Sequence, residues 1–155
     1  MKRLRNSGSA MLKTSEDPTM ETTTETIREK NAPYVLLIGP REAFGRYATH
    51  LEWNAQFHVE RADCPKAAGI LLEFRPDVIL LYIPDEHGPA REAQAAVREL
   101  RQHAPVVVFS RAANMDAYMA VMTQGAFDYV TSYTPDEEID RVLSRAIRSA
   151  TACAA

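Results

Sequence analysis

From Tyr34 onward, short unbroken apolar runs alternate with stretches whose apolar residues recur every three or four positions. Tyr34-Val35-Leu36-Leu37-Ile38 is the first such run, β-branched and aromatic, and reads as a strand covered on both faces. A helix is predicted next, over Arg41 to Glu52, because Phe44, Tyr47, Ala48 and Leu51 fall on one stripe at i, i+3, i+4 and i+7. Phe57-His58-Val59 reads as a short strand toward the edge of a sheet. Ala67, Ala68, Leu71, Leu72 and Phe74 suggest a second helix, closed by Arg75-Pro76 because the residue before proline avoids the helical region. Val78 to Ile83 is the strongest strand signal, and Pro84 ends it. Ala93, Ala96, Val97 and Leu100 mark a third helix. Pro105 to Ser110 is a fourth strand, with proline tolerated at its first position.

A fourth helix over Met115 to Gln124 should stop at Gly125, the residue type that readily takes the left-handed conformation. Asp128-Tyr129-Val130 is a short fifth strand. The last helix has Thr134 as cap, Pro135 at its first position and Glu137 to complete a capping box. Its apolar stripe runs through Ile139, Val142, Leu143, Ala146, Ile147 and Ala150, with Arg141, Arg145 and Arg148 on another face. Five strands alternating with five helices imply a doubly wound, flavodoxin-like, five-stranded parallel sheet: a (βα)5, three-layer α/β/α domain. Its functional loops should lie at the carboxyl ends of the strands.

Residues 1–32 lack an apolar face and read as a disordered N-terminal tail, 33–150 as the domain, and 151–155 as a C-terminal tail. Met11 and Met20 leave a later translation start open. At 155 residues, 46% hydrophobic and 25% charged, the chain suits one soluble domain. No apolar run approaches the roughly 18 residues of a spanning helix, and no secretion segment follows the basic start, so the expected location is the cytoplasm. Cys64 and Cys153 lie too far apart in sequence to suggest a zinc motif, which argues against a metal site there. Residues 31–155 hold twelve basic against sixteen acidic side chains, which disfavours nucleic acid as a partner.

Three stretches carry a resemblance to a known family. They are Arg75-Pro76-Asp77-Val78-Ile79-Leu80-Leu81 leading to Pro84-Asp85-Glu86-His87-Gly88, then Pro105 to Ser110, then Gly125-Ala126-Phe127-Asp128-Tyr129. With the element order, residues 33–148 resemble the CheY-like receiver domain of bacterial two-component response regulators. Such a domain holds magnesium on two carboxylates after strand 1, accepts phosphate on an aspartate ending strand 3, and pairs it with a lysine after strand 5. The resemblance places that acidic pair on Gly39 and Pro40, the phosphate acceptor on Tyr82, and the lysine on Ser132, with Tyr133 in place of the proline that follows it. Lys66 is the only lysine beyond position 30, and the loop from Tyr82 to Gly88 is two residues short. Ser110 matches the phosphate-contacting hydroxyl and Tyr129 the aromatic switch position. Phosphoryl transfer needs a metal and a cation to neutralise the transferred oxygens, so the resemblance implies a degenerate phosphorylation site with no catalysis and no cofactor.

The remaining candidates weigh a sharp reading against a plain one. Tyr82 reads either as a regulatory aromatic that occupies the vacated pocket and fixes one conformation or as a side chain that simply fills space, and the second reading is favoured. Arg41, His87 and Arg111 fall in loops suited to an anion pocket, yet no Gly-rich cradle accompanies them, which favours solvated loop charge. His50, His58 and His103 read as structural, and Trp53 as packing over the core edge. Met115, Tyr118, Tyr129 and Tyr133, with Arg141 and Arg145, suggest a switch or interface surface on the helix 4, strand 5, helix 5 side. There Met119 and Met122 should face inward, while Met115 and Tyr118 stay partly exposed. The expected function is a phosphorylation-independent pseudo-receiver that works by contact with a protein partner (a signalling kinase, regulator or effector) or as a homodimer. Only Ser149 to Ala155 follow the last helix, so its output should pass through that partner. The alternative is a nucleotide or flavin binder using the loops after strands 1, 3 and 4.

Overall fold

The computed structural model describes residues 32–84 and 91–154. In chain order the elements are β1 (Tyr34–Ile38), α1 (Arg41–Phe44), α2 (Arg46–Trp53), β2 (His58–Ala62) and α3 (Gly69–Leu72), the last preceded by a 3-10 turn over Lys66–Ala68. Then follow β3 (Val78–Tyr82), α4 (Arg91–Leu100), β4 (Val106–Ser110), α5 (Met115–Thr123), β5 (Asp128–Thr131) and α6 (Asp136–Ala154). All the strands pair in parallel, in the order β2-β1-β3-β4-β5.

The period of two along each strand sorts its side chains onto two cores. Val35, Leu37, Val78, Leu80, Val107 and Phe109 meet Phe44, Tyr47, Ala48 and Leu51 from α1 and α2, together with Ile139, Val142, Leu143 and Ala146 from α6. Leu36, Ile38, Ile79, Leu81, Val106 and Val108 meet Ala68, Ala93, Val97, Leu100, Ala117 and Val121 on the other side. Because strands β1, β3 and β4 are buried on both faces, their continuous apolar runs are required rather than fortuitous. The doubly wound sheet expected from the sequence is therefore the observed one.

Several local details differ from expectation. The first helix is not continuous: Gly45 has φ +58 and ψ −135, a conformation open essentially to glycine alone, and it divides α1 from α2. The apolar stripe survives the break, since Phe44, Tyr47, Ala48 and Leu51 are all buried. Trp53 does not pack over the core edge; it is 85% exposed, because the stripe ends at Leu51 and Trp53 points off it. Phe74 is likewise exposed beyond the short α3. Arg75 takes φ +58 ahead of Pro76.

Gly125, at φ +103, ends the fourth predicted helix as expected. Thr134 does not cap α6. Its hydroxyl instead accepts from the Thr131 amide at 3.1 Å, and the Glu138 and Ile139 amides donate to the Pro135 carbonyl. The final helix also continues through Ala154, so residues 151–154 extend α6 where a tail had been placed after position 150. The tail expected over 1–32 lies, apart from Ala32, outside the described residues.

Leu80 is wholly buried between strands and helices, so Leu80→Ala should destabilise the domain by about 2–5 kcal/mol in urea titration. Trp53→Ala should shift the same midpoint by no more than about 0.5 kcal/mol, as befits an exposed side chain.

Candidate functional site

Parallel strands of this order direct their carboxyl ends into one shared cleft. The cleft here is built from the residues that follow β1, β3, β4 and β5. Gly39 extends β1 by one residue, with its amide donating to the Ala62 carbonyl at 2.8 Å. Its φ is +144, and a Cβ built on it would stand 2.7 Å from Tyr82 Cβ and 3.3 Å from the Phe44 ring. No side chain fits there without displacing β3. Pro40 is exposed, and its carbonyl accepts from Ala43 to begin α1.

Tyr82 ends β3 opposite Phe109 and is half-buried. Its ring meets Phe44 edge-on with centroids 6.2 Å apart, and Phe44 in turn lies 5.3 Å from Phe109. Tyr82 is thus built into an aromatic cluster, a packing geometry favourable beyond the area it buries. The plain, space-filling reading of Tyr82 accounts for these contacts.

The hydroxyls of the cleft are turned onto the loop backbone. Ser110, wholly buried, donates to the Ala112 carbonyl at 3.2 Å, and the Tyr129 hydroxyl donates to the same carbonyl at 3.3 Å. Ser132 donates to the Arg111 carbonyl at 2.7 Å, tying the loop after β5 to the loop after β4. Tyr118 packs edge-on against Tyr129 at 5.8 Å. Three donors that would otherwise be available to an anion are therefore engaged within the chain.

Arg61 was not singled out from the sequence, yet it reaches into this region. Its guanidinium donates to the Gly39 carbonyl at 3.0 Å and to Asp63 at 2.6 Å. The signal lay in the strand order: β2 is the neighbour of β1, so the end of β2 must flank Gly39. Arg41 is drawn away from any anion pocket, since it makes a two-pronged pair with Glu52 at 2.7 and 3.1 Å. That pair holds the Glu52 carboxyl below its usual range. Arg111 is exposed, and His87 lies outside the described residues, so the three-residue anion pocket is not assembled among those described.

On the α5 side, Met115 is 71% exposed and Tyr133 81% exposed, with Tyr118 at the surface beside them. Met119 is 56% exposed rather than inward, because the nine-residue α5 buries only Ala117 and Val121, with Met122 half-covered beside them. Arg141 pairs with Glu138 at 2.7 Å, and Arg145 lies 3.6 Å from Asp128 on β5.

A depression of about 280 Å³ opens between the break at Gly45 and the start of α6, rimmed by Arg46, Ser132, Thr134 and Asp136. Its floor residues Phe44, Tyr47, Phe109 and Ile139 are each at most 2% exposed, so it offers a ring-sized ligand little apolar surface.

No protein-family model and no curated protein matches the chain. Solved structures do. The signal receiver domain of the response regulator NarL from Mycobacterium tuberculosis superposes with a TM-score of 0.63 at 18% identity, covering 76% of this chain and 98% of that one. The fold is that of response-regulator receiver domains. A receiver domain from Clostridium thermocellum gives a TM-score of 0.63 at 16% identity, over 78% of this chain and 98% of the other. The BeF3-activated N-terminal receiver domain of RstA from Klebsiella pneumoniae gives 0.61 at 20%, over 74% and 98%.

Receiver domains of the family resembled hold a magnesium ion at the cleft corner occupied here by Gly39, Pro40 and Tyr82. Those residues do not fit it. Gly39 and Pro40 supply carbonyls only, the Gly39 carbonyl already accepts from a guanidinium, and the Tyr82 Cβ fills the space a carboxylate at position 39 would need. Asp85 and Glu86, which follow Tyr82 in sequence, lie outside the described residues.

Gly39→Asp should destabilise the domain by about 2–4 kcal/mol, combining backbone strain with overpacking. The overpacking part is coupled to Tyr82. In the Tyr82→Gly background the same substitution should cost at least about 1 kcal/mol less, as read from a double-mutant cycle of urea midpoints.

Proposed function

We propose that this chain is a receiver-like signalling module of a bacterial two-component or related regulatory system, acting by protein contact and independently of phosphorylation. The observation that carries this reading is the interlock of Gly39 with Tyr82. In the receiver family the corresponding positions hold the metal and the phosphate, whereas here they pack against each other at backbone distance. Arg61 on the Gly39 carbonyl and the internally bonded hydroxyls of Ser110, Ser132 and Tyr129 support the same reading. These groups already have partners within the chain and need no ligand to satisfy them.

Contact is the output that the exposed residues support. Met115, Tyr118, Met119 and Tyr133 present adaptable and aromatic side chains along α5 and the loop after β5, and Arg141 and Arg145 continue the surface onto α6. Aromatic residues, methionine and arginine are the types enriched at protein interfaces. The partner is a kinase, a regulator, an effector or a second copy of the chain, and contact leaves no role for an enzymatic step.

Two measurements test this. Incubation with acetyl phosphate and magnesium should give no base-labile mass gain of one phosphate; such a gain would end the proposal. Tyr133→Ala and Met115→Asp should each weaken the association measured by light scattering, or by titration with a partner, by about tenfold or more while leaving the urea midpoint nearly unchanged.

A further inference from the structure

The packing of α2 on α6 contains a polar cluster separate from the cleft. Asp140 accepts the Tyr47 hydroxyl on Oδ1 at 2.6 Å, and its Oδ2 lies 2.7 Å from His50 Nε2. Asn54 Nδ2 donates to the same Oδ2 at 3.4 Å. One turn earlier on α6, Asp136 Oδ2 stands 3.8 Å from His50 Nδ1, while its Oδ1 is 3.4 Å from Arg46 Nε. The Tyr47 and His50 rings stack with centroids 5.4 Å apart. Tyr47 and His50 follow at i and i+3 along one edge of α2, with Asn54 just past its end, and Asp136 and Asp140 at i and i+4 along α6, so the two helices meet along a polar seam.

We propose that His50 is a proton-operated latch: as imidazolium it bridges Asp140 and Asp136 and clamps α2 onto α6, and loss of its proton loosens α2. The chemistry follows from charge and donor count: the contact of Nδ1 with Asp136, at 3.8 Å, is an ion pair that only the imidazolium makes, while the contact of Nε2 with Asp140, at 2.7 Å, is a hydrogen bond. Imidazolium donates from both ring nitrogens, whereas neutral imidazole donates from one. A charged donor on a carboxylate also makes a bond roughly twice as strong as a neutral one.

The groups around His50 favour its charged form. From α6 it faces Asp140, Asp136 and Glu137, all acidic. On its own helix the cation Arg46 is turned to Asp136, and Tyr47, whose phenol pKa burial and the bond to Asp140 both raise, keeps its proton on the bond to Asp140. The hydrogen bond to Asp140 raises the pKa of His50; partial burial opposes this, and the nearby carboxylates add to the rise. His50 therefore holds its proton more tightly in the folded than in the unfolded chain. Its stabilising effect is complete below the ordinary imidazole value of about 6.5 and is lost as pH climbs through the raised folded value.

Gly45 gives the latch something to act on. It separates α2 from α1 with φ +58 and nothing within 4 Å of where a Cβ would stand, as a hinge requires. On the far side of it, Phe44 packs against Tyr82 and Phe109 in the wall of the cleft. A change in how firmly α2 is held thus reaches the cleft through one joint.

An NMR titration of the His50 ring, assigned by the signal lost in His50→Gln, tests the latch on the intact chain alongside amide exchange in α2. The expected midpoint lies above pH 6.5. Protection of the α2 amides, corrected for intrinsic exchange, should fall by about three- to tenfold across that midpoint, the order expected when one charge-assisted bond is weakened. In His50→Gln the fall should vanish. A wild-type midpoint at or below 6.5, or an equal fall in His50→Gln, would overturn the proposal. Should His50→Gln fold poorly, the His50 ring is assigned instead by through-bond correlation to its own backbone amide in the wild-type chain, and the wild-type midpoint alone then decides the test.

Discussion

Three central strands that bury side chains on both faces set the terms for the rest of the molecule. Every residue of β1, β3 and β4 from Val35 to Ile38, Val78 to Leu81 and Val106 to Phe109 is buried, alternating between the two cores. A sheet of that kind is stable only when helices cover both sides, and parallel strands joined by right-handed crossovers place them there. The short, imperfect helices α1 and α3 are tolerated because their role is to supply apolar contacts, as Phe44, Leu71 and Leu72 do, rather than to be long. In proteins the stability of such helices comes from packing more than from intrinsic propensity.

The same architecture gathers the loop residues after β1, β3, β4 and β5 at one end, so whatever stands there must be accommodated jointly. Glycine at position 39 and tyrosine at 82 form a matched pair, since the backbone of one occupies the space in front of the other's Cβ. The hydroxyls of Ser110 and Tyr129 converge on a single carbonyl, that of Ala112, which joins β4 and β5 to the loop before α5. Any rearrangement of that loop has to break both bonds. This link joins the cleft to the face carrying Met115, Tyr118 and Tyr133.

The α6 helix is anchored differently along its length. Toward the sheet it offers Ile139, Val142, Leu143 and Ala146 to the core, while its edge toward α2 carries Asp136 and Asp140. Polar seams of this sort hold a fixed helix register at the expense of sensitivity to protonation, because a partly buried carboxylate must keep its partners. Beyond the seam, the exposed Arg141, Arg145 and Arg148 are solvated apart from local pairs with Glu138 and Asp128.

The periodicity of apolar residues determined the element order, the parallel sheet, both helix layers and most of the core, because burial on a strand or helix repeats at a fixed local interval. That Gly39, Pro40, Tyr82 and Ser132 end or follow strands at the cleft was also legible, since it depends on position along the chain. The contact between Gly39 and Tyr82, the reach of Arg61 to the Gly39 carbonyl, the break at Gly45, the outward turn of Trp53 and Met119, and the meeting of His50 with Asp140 were not. Residues 50 and 140 are brought together by two helices packing on one face of the sheet, and residues 39, 61 and 82 by adjacent strands ending at one level. No local spacing encodes such approaches. They arise from the twist, register and helix placement that the folded sheet alone decides.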